Sequence, residues 1–282
     1  MHPRQVAEEY ARIIPLQLRY GVNLERLAAL GVALIELGPD AALVDYLAGS
    51  AGARHGKFKT ALHRTLRWFL SDFDINGLLG TYPMHVLSTQ QFRELLGSDV
   101  GGRLLDIGAG RGDVTSQLAQ LFEEVTVTET SKPMIKRLEK FGYRVWFGDF
   151  AERIAPPEQF DVVSLLNVLD RCDRPLGLLA AARAALQPGG KLILALVLPY
   201  RPFVYDHGSA RAPRERLPLG DQGFESSVWE LITLVLKPLG FQIESISRAP
   251  YLSGGDADHA LYELDDLIVV CKAPFDVPIL RT

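Results

Sequence analysis

The stretch that constrains this chain most is Leu104-Leu105-Asp106-Ile107-Gly108-Ala109-Gly110-Arg111-Gly112-Asp113. A short apolar run breaks into three glycines at alternate positions, and a helical pattern follows over Val114–Phe122. Glycine lets the backbone bend tightly and lets a ligand come close to it, while the first turn of a helix offers unpaired N–H groups to an anion. Strand, glycine turn and helix in that order make the start of a βαβ unit. The chain then repeats the alternation. Strand-like runs at Arg103–Ile107, Val125–Thr128, Arg144–Phe147, Phe160–Leu165 and Lys191–Val197 are separated by helical patterns around Val114–Phe122, Lys132–Phe141 and Leu176–Leu186. That spacing predicts an α/β fold with a parallel sheet. The run Val162-Val163-Ser164-Leu165-Leu166 is continuous rather than alternating, as strands buried on both faces are.

The two ends of the chain follow other patterns. Before Ser98-Asp99, apolar residues recur at helical spacing: Leu24, Leu27, Leu30, Leu34 and Leu37, then Phe58, Leu62, Leu66 and Phe69. Residues 1–57 are read as a helical N-terminal extension, 58–97 as a helix with a segment covering substrate or cofactor, and 98–282 as the core. Towards the C-terminus a helix near Val228–Leu239 should stop at Pro238-Leu239-Gly240. Two strands, Phe241–Ser247 and Leu264–Cys271, follow with only a loop between them. No crossover helix fits there, so they should pair antiparallel. From Leu198 to Glu225 runs a polar segment rich in Pro and Arg, with the length of a substrate lid.

Composition removes several function classes. Of 282 residues 48% are apolar and 23% charged, enough to bury a core. Thirty Lys and Arg against 34 Asp and Glu leave a formal charge of −4, without the basic excess of a dedicated nucleic-acid binder. The two cysteines, Cys172 and Cys271, exclude a disulfide framework and a Cys-based zinc cluster, and fit a reducing compartment. No apolar stretch nears the ~20 residues of a membrane span. Met1-His2-Pro3-Arg4-Gln5 runs into Glu8 and Glu9 with no apolar signal core. A cytoplasmic monomer is expected, with delivery to an organelle by the N-terminus left open. Metal chemistry is not expected. The six histidines lack ligand spacing, and Asp72-x-Asp74-x-Asn76-Gly77 starts like an EF-hand loop but has Pro83 at the twelfth position, where that loop needs a glutamate.

The glycine spacing separates two cofactor classes. A dinucleotide fingerprint is G-x-G-x-x-G. Here the pattern is G-x-G-x-G, with Asp106 two residues before Gly108. That form resembles the first motif of the class I S-adenosylmethionine (SAM) methyltransferases, and implies that Asp106, Gly108, Gly110 and Gly112 bind SAM. Glu129 ends the next strand 17 residues beyond Gly112, where a carboxylate can accept both hydroxyls of a ribose. Asp149 in Phe147-Gly148-Asp149-Phe150 is placed for the adenine amino group, or serves as a turn or cap residue. Ligands of open α/β sheets bind beyond the carboxyl ends of strands. Asn167 and Asp170, which follow the fourth strand, therefore face the acceptor, while Asp173 before Pro175 reads as a helix N-cap.

Several segments together resemble one family. They are Phe69-Leu70-Ser71-Asp72-Phe73-Asp74-Ile75-Asn76-Gly77-Leu78-Leu79-Gly80, Leu104–Gly112, Asn167-Val168-Leu169-Asp170-Arg171-Cys172-Asp173-Arg174-Pro175-Leu176, Leu194–Pro202, Pro250-Tyr251-Leu252 and Tyr262-Glu263-Leu264-Asp265-Asp266. The set is similar to methyltransferase-like protein 9, the DREV family, over roughly Phe58 to Lys272. Residues 1–57 match nothing in it, and the loop 201–221 departs from it. The resemblance implies a Rossmann-like seven-stranded sheet with its last strand antiparallel. It also implies methyl transfer from SAM, with S-adenosylhomocysteine as product, to the N1 (pros) nitrogen of histidine in His-x-His sequences with x small. Protein or peptide substrates are the implied partners, with no nucleic acid. On this reading Asp170 is the catalytic acceptor of the ring N–H, with Asn167 positioning ring or cofactor. Asp72, Asp74 and Asn76 would meet the substrate, and Tyr251 and Tyr262 would wall the histidine pocket or merely pack the last hairpin. Methylation of a small molecule, or SAM binding without catalysis, are the alternatives.

Overall fold

The computed structural model describes residues 16–52, 83–97, 101–151, 158–206, 209–254 and 261–274. Strands β3 (Arg103–Ile107), β4 (Glu124–Glu129), β5 (Arg144–Phe147), β6 (Phe160–Leu166) and β7 (Leu186–Val197) run parallel in the order β5-β4-β3-β6-β7. Strand β11 (Leu261–Lys272) lies antiparallel beside β7, and β10 (Gln242–Gly254) pairs antiparallel with the other edge of β11. This is the sheet that the resemblance implies, with a reversed strand inserted next to the last parallel one. Two-residue strands add to β10: β1 (Ala33–Leu34) in parallel and β2 (Met84–His85) antiparallel, making a nine-stranded sheet.

Burial explains why the central strands are apolar throughout. On one face Leu105, Val163, Leu194 and Val269 share a core with Leu178, Leu179 and Ala182 of α6 (Pro175–Ala185) and with Val228 of α7 (Phe224–Glu230). On the other face Leu104, Val162, Ile193 and Ile268 share a core with Phe92, Leu95 and Leu96 of α3 (Thr89–Leu96) and Leu118 of α4 (Thr115–Leu118). Val162 and Val163, neighbours in sequence, enter opposite cores, so neither can be polar without burying an unpaired group. Helix α3 starts with a capping box in which Ser88 and Gln91 satisfy each other's backbone N–H groups. No helix among the described residues is long and apolar enough to cross a membrane.

Three expectations meet corrections. The helical spacing from Leu24 to Leu37 covers only α1 (Leu24–Leu27) and a 3-10 turn, because Gly31 adopts φ +64° and ends it. Leu34 lies instead on β1, paired with Ile246. The later part of that pattern, Phe58 to Phe69, lies outside the described residues. The long segment after β7 is not a free lid. It forms a small ribbon of β8 (Val204–Asp206) and β9 (Ser209–Arg211), and ion pairs pin it to the loop after β6. Asp173 Oδ1 accepts from Arg211 Nη1 at 2.7 Å and from the Arg214 N–H at 2.9 Å, while Arg174 meets Glu215 at 3.2 Å. Asp173 is thus committed to the ribbon, and the N-cap of α6 is Arg174, without a side-chain cap.

Candidate active site

The glycine loop lies between the carboxyl ends of β3 and β4. The N–H groups of Gly108 and Ala109 donate to the Thr128 carbonyl at 3.1 Å, which folds the loop against β4. The Gly110 N–H donates to Glu129 Oε2 at 2.9 Å. Glu129 Oε1 accepts from the N–H groups of Thr130 and Ser131 at 2.6 and 2.8 Å. The three glycines are required for different reasons. A Cβ on Gly108 would come within 2.8 Å of Val168 Cγ2, and one on Gly112 within 2.9 Å of Leu138 Cδ2. Gly110, at φ +54°, would place its Cβ in open space. Gly108 and Gly112 thus let the loop pack on its own protein, and Gly110 leaves room above it.

Asp106 is buried beneath this loop, 2% exposed, and burial raises its pKa. Its two oxygens accept from Ser164 Oγ and Thr115 Oγ1, each at 2.6 Å. The side chain therefore ties β3 to β6 and α4 and positions the loop. Asp113 braces the loop from outside. It pairs with Arg111 at 2.9 Å and accepts from the Met84 N–H at 3.3 Å. Asp149 is exposed and its Oδ1 accepts from the Ala151 N–H at 2.9 Å, the turn geometry that its position after a strand allowed.

A second group of polar side chains gathers where β6, β7 and β11 meet. Asn167 holds φ +59°, with its N–H on the Ala195 carbonyl and its Nδ2 on Asp266 Oδ2 at 2.8 Å. Asp170 is 3% exposed and Asp266 fully buried. Burial raises both carboxyl groups, Asp170 to about 6 even with the Arg171 charge pulling it down, and Asp266 well above the ordinary range. Five buried side-chain polar atoms among the described residues have no hydrogen-bond partner, and three belong to this group: Asn167 Oδ1, Asp170 Oδ1 and Asp266 Oδ1. Buried polar atoms without a partner are costly, and three of the five lie together at the ends of these strands. No cluster of His, Cys, Asp or Glu among the described residues could hold a metal ion.

Tyr251 on β10 is close enough to Asp266, Asp170 and Arg171 to feel their charges, and its hydroxyl donates to Met84 Sδ at 2.9 Å. Tyr262 on β11 is 40% exposed and sits opposite Ser253, away from the buried acids. Asp72, Asp74 and Asn76 lie outside the described residues. Asp266 is the residue that sequence reasoning did not single out. Its signal is an acid heading the apolar run Leu267-Ile268-Val269-Val270-Cys271.

Over residues 20–273 the chain matches the family described as DREV methyltransferase. It is similar to demethylmenaquinone methyltransferase of Tropheryma whipplei (strain Twist), 26% identical over 157 residues that cover 53% of this chain and 64% of that enzyme. It therefore spans just under two thirds of that relative's length. It is also similar to ubiquinone biosynthesis O-methyltransferase of Xanthomonas euvesicatoria pv. vesicatoria (strain 85-10), 27% identical over 198 residues, 66% of this chain and 80% of that enzyme. Among solved structures, the N-methyltransferase NodS of Bradyrhizobium japonicum WM9 in complex with S-adenosyl-L-homocysteine is 18% identical, covers 66% of this chain and 85% of its own, and gives a TM-score of 0.42.

Proposed function

Starting from a chain that belongs to the DREV methyltransferase family, and so from a SAM-dependent methyltransferase, we propose that the acceptor is a protein histidine. The methyl group goes to the N1 (pros) nitrogen in His-x-His sequences with x small. The observation that carries this reading is the buried, unpartnered Oδ1 of Asp170 at the strand-end crevice.

The residues present fit SAM. Gly110 would direct a Cβ into open space beside Glu129, and Asn167 Oδ1 stands unpartnered nearby in the fold. The glycine loop and Glu129 would hold the cofactor, Glu129 by accepting the ribose hydroxyls, with Asp149 at the adenine and Asn167 towards the methyl end. Asp106 serves by holding the loop. When bound, the cofactor supplies an electrophilic methyl on a sulfonium sulfur. Replacing Glu129 with Ala should weaken SAM binding by about 1.5–3 kcal/mol, the worth of a hydrogen bond to a charged group. Calorimetry showing unchanged affinity for this variant would refute the ribose role.

The chain's own part is to choose the attacking nitrogen. Imidazole, with an ordinary pKa of about 6.5, is largely neutral near pH 7, so a strong base is unnecessary. Asp170 Oδ1 accepts the hydrogen on the far ring nitrogen, Nτ, and so holds the tautomer whose lone pair is on Nπ. As the N–C bond forms, the ring becomes positive, and the adjacent carboxylate stabilises that charge. Burial makes the stabilisation large, because little water competes for it. Tyr251 offers an aromatic wall. Tyr262 would stand at the rim, and Asp72, Asp74 and Asn76 would cover the substrate.

The names of the two relatives favour a second reading, methylation of a small molecule. Labelled SAM mixed with the purified protein and with a His-Ala-His peptide, a Lys-Ala-Lys peptide or a quinol separates the readings. Label on N1 of the His-Ala-His peptide is the expected result. Label only on the quinol would establish the second reading, and label on none would indicate a binding protein without catalysis.

A further inference from the structure

Asp170 meets the acceptor through one oxygen, and a specific arrangement occupies the other. Arg171 Nη1 pairs with Asp170 Oδ2 at 2.5 Å and donates to the Asp170 carbonyl at 2.9 Å. The guanidinium lies over the Phe203 ring, with Cζ 3.9 Å from the centroid. The Phe203 N–H closes the arrangement by donating to the same Asp170 carbonyl at 3.0 Å. Phe203 comes from the segment after β7, which the Asp173 ion pairs with Arg211 and Arg214 pin down a few residues later. A surface arginine ordinarily keeps its rotamer freedom. Here a ring on one side and an acid on the other remove it.

We propose that Arg171 and Phe203 are positioning residues for Asp170, fixing which of its two carboxylate oxygens meets the acceptor. The inference rests on the reading of Asp170 given above. Oδ2 is held by the guanidinium, which leaves Oδ1, buried and without a partner, as the oxygen for the acceptor. The same contact brings charge. The groups that face Asp170 are Arg171 and Cys172 on its own turn, Tyr200 after β7, Tyr251 on β10 and Asp266 on β11. Burial pushes Tyr200 and Cys172 up to about 12, so both stay uncharged at neutral pH, and it raises Tyr251 and Asp266 as well. Arg171 supplies the positive charge that opposes the effect of burial on Asp170. Without it the carboxyl should protonate at a higher pH.

The test uses the full chain with Arg171→Gln, Phe203→Leu and Phe203→Tyr. Two quantities are read: the acid limb of kcat/KM for the His-Ala-His peptide, and the titration of Asp170 by carbon-13 NMR of labelled aspartate, assigned with Asp170→Asn. In Arg171→Gln the Asp170 titration should rise by about one pH unit or more, and the acid limb of kcat/KM should rise by less, because the peptide imidazole titrates on the same limb. In Phe203→Leu they should move the same way by less, and in Phe203→Tyr they should stay with the parent. SAM affinity should be unchanged throughout. A rate that falls evenly at every pH while the Asp170 titration stays in place would reduce both residues to structural packing and overturn the inference. If the parent methylates no histidine peptide but the Asp170 titration moves as stated, the histidine reading fails and the positioning role stands.

Discussion

Asp170→Asn should lower the rate of methyl transfer roughly 100-fold, the scale on which single preorganised charge-stabilising groups act. The substitution keeps the size of a side chain that is 3% exposed, so packing survives while the negative charge is lost. The new amide can also turn its NH2 towards the ring, which then finds a donor where it needs an acceptor. Affinity for SAM should stay the same. Residual product should be mixed between the two ring nitrogens, because nothing then selects the tautomer, and mass spectrometry against 1-methyl- and 3-methylhistidine standards reads the ratio. Stability should move the opposite way. The folded-state pKa of about 6 lies above the ordinary 3.8, so ionising Asp170 destabilises the fold as pH rises through about 6. At pH 8 the Asn variant should gain up to about 3 kcal/mol, and below about pH 4 the difference should vanish. A variant with the parental rate and parental nitrogen selectivity would leave Asp170 as an ordinary buried acid.

Gly110→Val should abolish SAM binding at working concentrations, an affinity loss of roughly 100-fold or more, taking a filled cradle to forfeit at least two backbone or charged contacts. The fold should persist with a modest penalty, about 1–2 kcal/mol for a side chain at φ +54°. Gly108→Val and Gly112→Val should behave differently. Their first atoms meet Val168 and Leu138 below 3.0 Å, so thermal unfolding should report the damage before binding does. Gly110→Asn serves as the control, since Asn tolerates that backbone region better. Calorimetry beside thermal melts separates the two kinds of loss. A Gly110→Val protein that binds SAM as tightly as the parent would mean that the open space above the loop is not the cofactor's.

The parts of this molecule that the sequence discloses are those set by near neighbours. Val162 and Val163 announce a strand buried on both faces, and the glycines at 108, 110 and 112 announce a turn with positive φ. What it conceals depends on distant pairing. Asp266 meets Asn167 across 99 residues, and no local pattern around Leu264-Asp265-Asp266 tells which acid turns inward. Asp173 looks like a helix cap beside Pro175 because its true partner, Arg211, is 38 residues away. Leu34 continues a helical period, yet Gly31 stops the helix and pairing with Ile246 on β10 decides its place. Phe203 stacked on Arg171 belongs to the same class, joining a loop after β6 to one after β7.

The reversed strand β11 lies inside the sheet, between β7 and β10, although every other strand precedes it in sequence. Translation adds residues from the N-terminus at about 5–20 per second. A nascent chain that has emerged as far as β7 can shape the glycine loop and the Glu129 contact, but β7 still has a bare edge and Asn167 has no Asp266 to donate to. Tyr251 and Asp266 arrive only with the β10–β11 hairpin, so the polar group they complete with Asn167 and Asp170 is finished after the glycine loop. A chain that ends before β11 leaves β7 with an open row of N–H and C=O groups, the kind of edge that invites pairing with other chains.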